Sequence, residues 1–166
     1  MPLIILLFTL VLAGFAMSTN EVMKTVQRNG MTVQWQLTET ELKIWMSAPT
    51  KGWVAVGLNF DDQLAGTSLM MGRIQDGSPE VKDFYIIAPG QYQSVVDLGG
   101  TSLVRNVEGR EAGTGTELHF SLPIQADSEF HHILQAGAKV HLLMAYSRSD
   151  DFEHHSMMRT SVPIEL

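Results

Sequence analysis

From Met31 onward, apolar and polar residues alternate along the chain. Met31-Thr32-Val33-Gln34-Trp35-Gln36-Leu37 sets Met31, Val33, Trp35 and Leu37 on one face of an extended segment. Leu42-Lys43-Ile44-Trp45-Met46 resumes the pattern after a short break near Glu39 to Glu41, so the two segments predict a hairpin. Trp53-Val54-Ala55-Val56-Gly57-Leu58 is apolar at every position, which predicts a central strand buried on both faces. Six further strands are predicted, over Ser68–Gln75, Val81–Ala88, Thr101–Glu108, Glu117–Pro123, Lys139–Ser147 and Met158–Glu165. Clusters such as Asp76-Gly77-Ser78-Pro79, Ala88-Pro89-Gly90, Gly99-Gly100 and Gly113-Thr114-Gly115 separate them, because Gly reaches positive φ and Pro fixes it. Asp127 to Ala136 reads as one short helical turn. No segment carries a sustained helical period. The expectation is an all-β chain, an immunoglobulin-like β-sandwich of about ten strands, in one domain over residues 20–166.

Composition narrows what such a sandwich can do. The chain has 166 residues, 45% of them apolar and 17% charged, enough for one ordered core. Its formal net charge is −7, a field that repels phosphate backbones and makes nucleic acid an unfavourable partner. With no cysteine, disulfides, thiolate metal sites, iron–sulfur clusters and thiol nucleophiles are all absent. Any metal must therefore use His, Met, Asp or Glu, and ten methionines bring thioether ligands into consideration beside their ordinary use as core filler.

The first residues, MPLIILLFTLVLAGFAM, run apolar from Leu3 to Leu12, with Gly14 and Ala16 placed for cleavage after Ala16. This predicts a signal peptide over residues 1–16, release to the periplasm or outside, and no membrane span after cleavage. A retained N-terminal anchor is the rival reading.

Six histidines are candidates for chemistry: His119, His131, His132, His141, His154 and His155. His119 and His141 fall inside strand patterns, while His154-His155 opens the last strand, where side chains can reach a pocket at the end of a sandwich. Asp61-Asp62 and Asp150-Asp151 lack the spaced oxygen pattern of a calcium loop and read as solvated carboxylates. No nucleophile elbow, zinc-protease helix, phosphate-cradling loop or dinucleotide fingerprint is present, so the expectation is a binding protein and not an enzyme.

Gly52-Trp53-Val54-Ala55-Val56-Gly57-Leu58, followed by Ser68-Leu69-Met70-Met71-Gly72-Arg73-Ile74-Gln75-Asp76-Gly77, resembles the core signature of the DOMON domain. Leu143-Met144-Ala145-Tyr146-Ser147, then His154-His155 and Arg159-Thr160-Ser161, is similar to the family's closing portion. The resemblance implies a sandwich of ten or eleven strands with a pocket between the sheets that holds haem b in many members and is proposed to bind sugars in others. It implies one His and one Met as axial ligands. The His maps onto His155, with His154 next, and the Met position maps onto Leu64, which cannot ligate iron. Met70 or Met71 could serve as sixth ligand instead, but alternation allows only one of them to face a given pocket. Trp53 and Tyr146 are the remaining pocket residues the resemblance implies.

The leading expectation is thus an exported domain that binds haem b for electron transfer or haem and redox sensing, with an envelope redox partner. The alternative is a non-redox module for a carbohydrate or other small ligand, using aromatics such as Trp35, Trp45, Tyr85 or Tyr92 on an open face.

Overall fold

The computed structural model describes residues 22–125 and 128–166, so the apolar leader assigned to residues 1–16 lies outside the described residues. In chain order the strands are β1 (Lys24–Arg28), β2 (Met31–Leu37), β3 (Glu41–Ala48), β4 (Val54–Asn59), β5 (Ser68–Gln75), β6 (Ser78–Ala88), β7 (Gln91–Ser94), β8 (Arg105–Ala112), β9 (Gly115–Pro123), β10 (Lys139–Tyr146) and β11 (Met158–Glu165). They pair antiparallel into a five-stranded sheet, β1-β2-β3-β9-β8, and a six-stranded sheet, β11-β10-β4-β5-β6-β7. The chain is an all-β sandwich, as the alternation predicts. Among the described residues no helix is long and apolar enough to cross a membrane.

The core between the sheets follows from the period-two pattern. Met31, Val33 and Trp35 of β2 and Leu42, Ile44 and Met46 of β3 meet Val54, Val56 and Leu58 of β4 and Leu142 and Met144 of β10. Phe120 of β9 and Met70 of β5 close the middle of this layer with no exposure at all. The predicted β2–β3 hairpin is present, paired from Thr32↔Ser47 to Leu37↔Leu42.

Two hairpins owe their geometry to two-residue turns. Asn29 (φ 49°) and Gly30 (φ 83°) join β1 to β2 between Arg28 and Met31, and Asp76 (φ 52°) and Gly77 (φ 77°) join β5 to β6 between Gln75 and Ser78. Positive φ at both central positions is the type I′ turn, whose twist matches that of the flanking strands.

The structure departs from the sequence pattern in three places. Strands β1 and β7 are additional, the first signalled by Asn29-Gly30. Strand β8 starts at Arg105, later than Thr101, because Leu103 N–H donates to the Asp83 carboxylate at 2.9 Å and not to a strand neighbour. Of the helical turn predicted over 127–136, Asp127 lies outside the described residues; from 128 on there is a single turn closed by His131 N–H on Ser128 C=O at 3.3 Å, after which the chain runs without helix. His131 is held there by its ring, with Nε2 2.8 Å from Asp83 Oδ2 and Nδ1 3.0 Å from Ser128 Oγ.

Candidate functional site

All six residues of β4 are buried, and the reason defines the site. On the face of the six-stranded sheet turned away from the core, Trp53, Ala55, Leu69, Met71, Phe84, Ile86, Leu143 and Ala145 form a second apolar cluster with Phe152. An apolar sheet face needs a cover. Here the cover is the β10–β11 connection, residues 147–157, which folds back over the sheet as a strap.

Specific contacts hold the strap down. The Trp53 indole N–H donates to the His154 carbonyl at 3.2 Å, and the Tyr92 hydroxyl donates to the Phe152 carbonyl. The Phe152 ring, 8% exposed, meets Phe84 edge-on, with ring centroids 5.8 Å apart. The Arg73 guanidinium stands 4.5 Å above the same ring, donates to the Asp150 carbonyl at 2.7 Å and pairs with Glu80 at 2.7 Å. At the strap's root Gly52 lies so close to Ser147 that a Cβ would sit 2.5 Å from its carbonyl oxygen, so the close approach requires glycine. The packing also shifts ionisation. Burial raises the Tyr92 phenol above its ordinary pKa, with the Glu153 and Asp151 carboxylates adding to the effect. Burial likewise raises the Asp150 carboxyl, helped by Glu111 and opposed by Arg73.

Between strap and sheet a groove of about 170 Å³ remains. Its floor is Trp53, Leu69, Met71 and Leu143; Leu64, Ile86 and Tyr92 stand on one side, with His154, His155 and Arg159 at the mouth. Met71 is 2% exposed, whereas both histidines are exposed residues.

The sequence-predicted residues separate cleanly on this geometry. Trp53, Met71, His154 and His155 line one groove, and Leu64 lines it with them. Met70 does not: it faces the core between the sheets. Tyr146 also faces inward, where its hydroxyl donates to the Asn29 carbonyl at 3.1 Å. The groove itself lies on the outer face of the six-stranded sheet; the space between the sheets, where the family resemblance put the pocket, is packed with side chains. Of the aromatics considered for sugars, Trp35 is in the core, Tyr85 packs edge-on against Phe130, Tyr92 lines the groove, and Trp45 faces outward on the other sheet. Among the described residues no group of three or more His, Asp or Glu side chains is arranged to hold a metal ion. Phe152, Leu69 and Leu143 carry the site without having been singled out. For Leu69 and Leu143 the signal was unbroken apolar runs in β5 and β10, where a one-sided strand would alternate; Phe152, alone in a polar loop, gave none.

The donor set fits a haem in kind. A thioether in an apolar floor and imidazoles at the mouth are axial ligands that haem iron takes, and Arg159 offers a cation for acidic substituents. The space is small beside the ~300–1,000 Å³ of ordinary ligand pockets, and a macrocycle does not fit it with the strap in this position. The middle of the strap is held to the sheet by side-chain contacts, while Met157 N–H on the Tyr146 carbonyl at 2.8 Å and the Trp53 backbone bonds to Ser147 and Ser149 fix its ends.

Comparison with known proteins agrees with the fold and the signature residues. The chain is 25% identical over 131 residues to MOXD1 homolog 2 of Drosophila melanogaster, matching across 79% of this chain but only 17% of that much longer protein. It superposes on the cytochrome b domain of pyranose dehydrogenase from Coprinopsis cinerea with a TM-score of 0.59 and 9% identity, covering 80% of this chain and 76% of that one. A family 9 carbohydrate binding module from Caldicellulosiruptor kristjanssonii, in complex with cellotriose, aligns more loosely, at a TM-score of 0.44 and 8% identity over 88% of this chain and 72% of that one. The DOMON domain model matches residues 27–147, most of the described sandwich, and the chain belongs to the DOMON domain family.

Proposed function

We propose that this domain binds haem b in the groove beneath the strap and serves as a binding and electron-transfer module, or a haem sensor, outside the cytosol. The observation that carries the reading is the convergence of Met71, His154 and His155 on one apolar groove. His155 is the proposed imidazole ligand, with His154 next, and the Met71 thioether is the proposed partner from the floor. The likeness to a cytochrome b domain supports the reading at the level of fold.

Haem iron held there by an imidazole of His155 or His154 and by the Met71 thioether would supply one-electron exchange. The chain's own residues do the rest. Trp53, Leu69, Leu143 and Ala145 present a dry apolar floor, which disfavours water at the ligand face. The Trp53 and Tyr92 hydrogen bonds set the position of the strap backbone, and with it the reach of both imidazoles. Arg159 at the mouth is the group placed to pair with carboxylates. An apolar floor with charge confined to the rim is the division expected of a site for an amphipathic planar ligand.

The test is an absorption titration of the purified protein with haemin, followed by dithionite reduction. Sharp low-spin bands that weaken in His155→Ala, or in His154→Ala, support the reading. Free-haemin bands unchanged by either substitution overturn it.

A further inference from the structure

Large apolar side chains left exposed gather at one end of the sandwich. Five of them, Val22, Met23, Phe60, Ile87 and Ile133, are each at least 45% exposed. Strand register puts this group together. Asn59, the last residue of β4, is opposite His141 near the start of β10, and Lys139 is opposite Glu165 of β11. Ser68, the first residue of β5, is opposite Tyr85 of β6. The loop carrying Phe60, the close of β6 carrying Ile87 and the segment carrying Ile133 therefore share one end. Contacts join them. The Phe60 ring meets the His132 ring edge-on with centroids 4.9 Å apart, His132 Nε2 lies 3.2 Å from the Gly66 carbonyl, and Gly66 N–H donates to the Ile86 carbonyl at 2.8 Å. Val22 and Met23 belong here too, since Lys24, which opens β1, donates from Nζ to the Glu165 carbonyl at 3.0 Å. Exposed apolar residues scattered singly are ordinary, but several at one end mark a surface that meets something.

The chain itself names the partner. Residues 1–21 precede Val22 and so join the sandwich at this end. Residues 1–20 carry no charged side chain, close to the ~20-residue length that membrane insertion asks of an apolar stretch. No Lys or Arg stands before the apolar run Leu3–Leu12, so the basic start of a cleaved leader is missing. We propose that the leader is retained with Leu3–Leu12 in a zwitterionic bilayer, and that this end of the sandwich rests on the same bilayer with Phe60, Ile87 and Ile133 in its interface. Residues 13–21 reach at most about 30 Å when extended, so the bilayer holding Leu3–Leu12 lies beside the end where Val22 emerges. Charge selects the lipid. Asp61, Asp62 and Glu129 are exposed here beside Lys24 and Lys139, so no excess of positive charge draws this end to anionic headgroups. Attachment then rests on two apolar signals, the leader and the exposed side chains, and one such signal alone binds only weakly. His155 and Arg159 lie toward the opposite end, where Tyr146 is paired with Met158. The mouth of the groove therefore stands clear of the bilayer, whatever the groove holds.

The test uses the full chain reconstituted into phosphatidylcholine vesicles. The sequence has no cysteine, so single spin labels go cleanly onto Phe60→Cys, Ile87→Cys and Ile133→Cys, and onto Ser78→Cys and Thr114→Cys in the exposed turns of the opposite end. Collision with oxygen, relative to collision with a water-soluble nickel complex, is expected to rise several-fold at the first three positions and not at the last two. Adding Phe60→Ser and Ile133→Ser to the Ile87→Cys chain should open the label to nickel while the chain stays on the vesicles, with an unchanged denaturation midpoint guarding against a folding defect. Three outcomes overturn the proposal. Labels at all five positions equally open to nickel would mean that this end does not touch lipid. Shielding that is the same without vesicles would assign the surface to a second copy of the chain. An intact mass beginning after Ala16 in chain purified from the producing cell would remove the leader. Haem binding enters none of these readouts, so it can fail in the groove while this orientation stands, and the reverse.

Discussion

Met70 and Met71 are neighbours on β5, yet they belong to different parts of the molecule. Met70 points into the space between the sheets, wholly buried among side chains of both layers. Met71 points the other way, buried to nearly the same degree, but its cover is a single loop, held by backbone bonds at its two ends and by side-chain contacts between them. Equal burial therefore hides unequal commitment. One face of the six-stranded sheet is closed by another sheet and can open only when the domain unfolds. The other is closed by a strap, which is expected to open while the sandwich stays intact. The groove lined by Met71, His154 and His155, and with it the proposed site, lies on the second face.

The sharpest break in this comparison comes from truncating the two methionines. Met70→Ala is expected to destabilise the fold by about 2–5 kcal/mol in chemical denaturation, the range for a buried core side chain cut to alanine. Met71→Ala should fall clearly below Met70→Ala, because the strap can settle into the space, and equal losses would show that the outer cluster is as rigid as the core.

Loosening the strap should have a smaller effect on stability. Trp53→Phe keeps the apolar floor and removes the indole N–H bond to His154, and Tyr92→Phe removes the hydroxyl bond to Phe152. Each is expected to lower global stability by only about 1 kcal/mol. Each should also raise amide exchange at residues 152–156 while leaving β2, β3 and β9 unchanged. Exchange rising evenly through both sheets would mean that the strap is part of one cooperative unit.

The smallest expected effect is a pH dependence at the far end of the sandwich. His132 is half-buried against Phe60 and Gly66, and desolvation lowers its pKa, only partly opposed by the Gly66 carbonyl and Asp61. A folded-state pKa below the unfolded value means that folding disfavours the proton. Stability is therefore unaffected by this group at neutral pH and declines as pH falls through the unfolded histidine range, near ~6.5. His132→Gln should flatten that limb of the stability–pH curve; an unchanged curve would assign it to other groups.

The alternating segments made the inner layer legible, since Met31-Val33-Trp35 and Leu42-Ile44-Met46 could pack only one way. The double burial of β4 was legible too, from its unbroken apolar run. What covered its outer face was not, because the strap is polar, Asp150-Asp151-Phe152-Glu153, and its apolar contact is a single ring. The pocket was expected between the sheets because the family resemblance implied it there. Alternation established that Met70 and Met71 face opposite ways, but only the register of β5 against β4 assigned them. Asn29-Gly30 was a readable hairpin signal, followed at once by the alternating run, and it accounts for β1.

The most direct test of the central claim is the dithionite-reduced absorption spectrum of haemin-loaded protein, comparing Met71→Leu with Met70→Leu. If the ligand sits beneath the strap against the outer face, Met71→Leu loses the low-spin bands of the parent while Met70→Leu, whose sulfur points into the core, keeps them. Loss of the bands in Met70→Leu alone, or identical spectra from the two variants, would contradict the account.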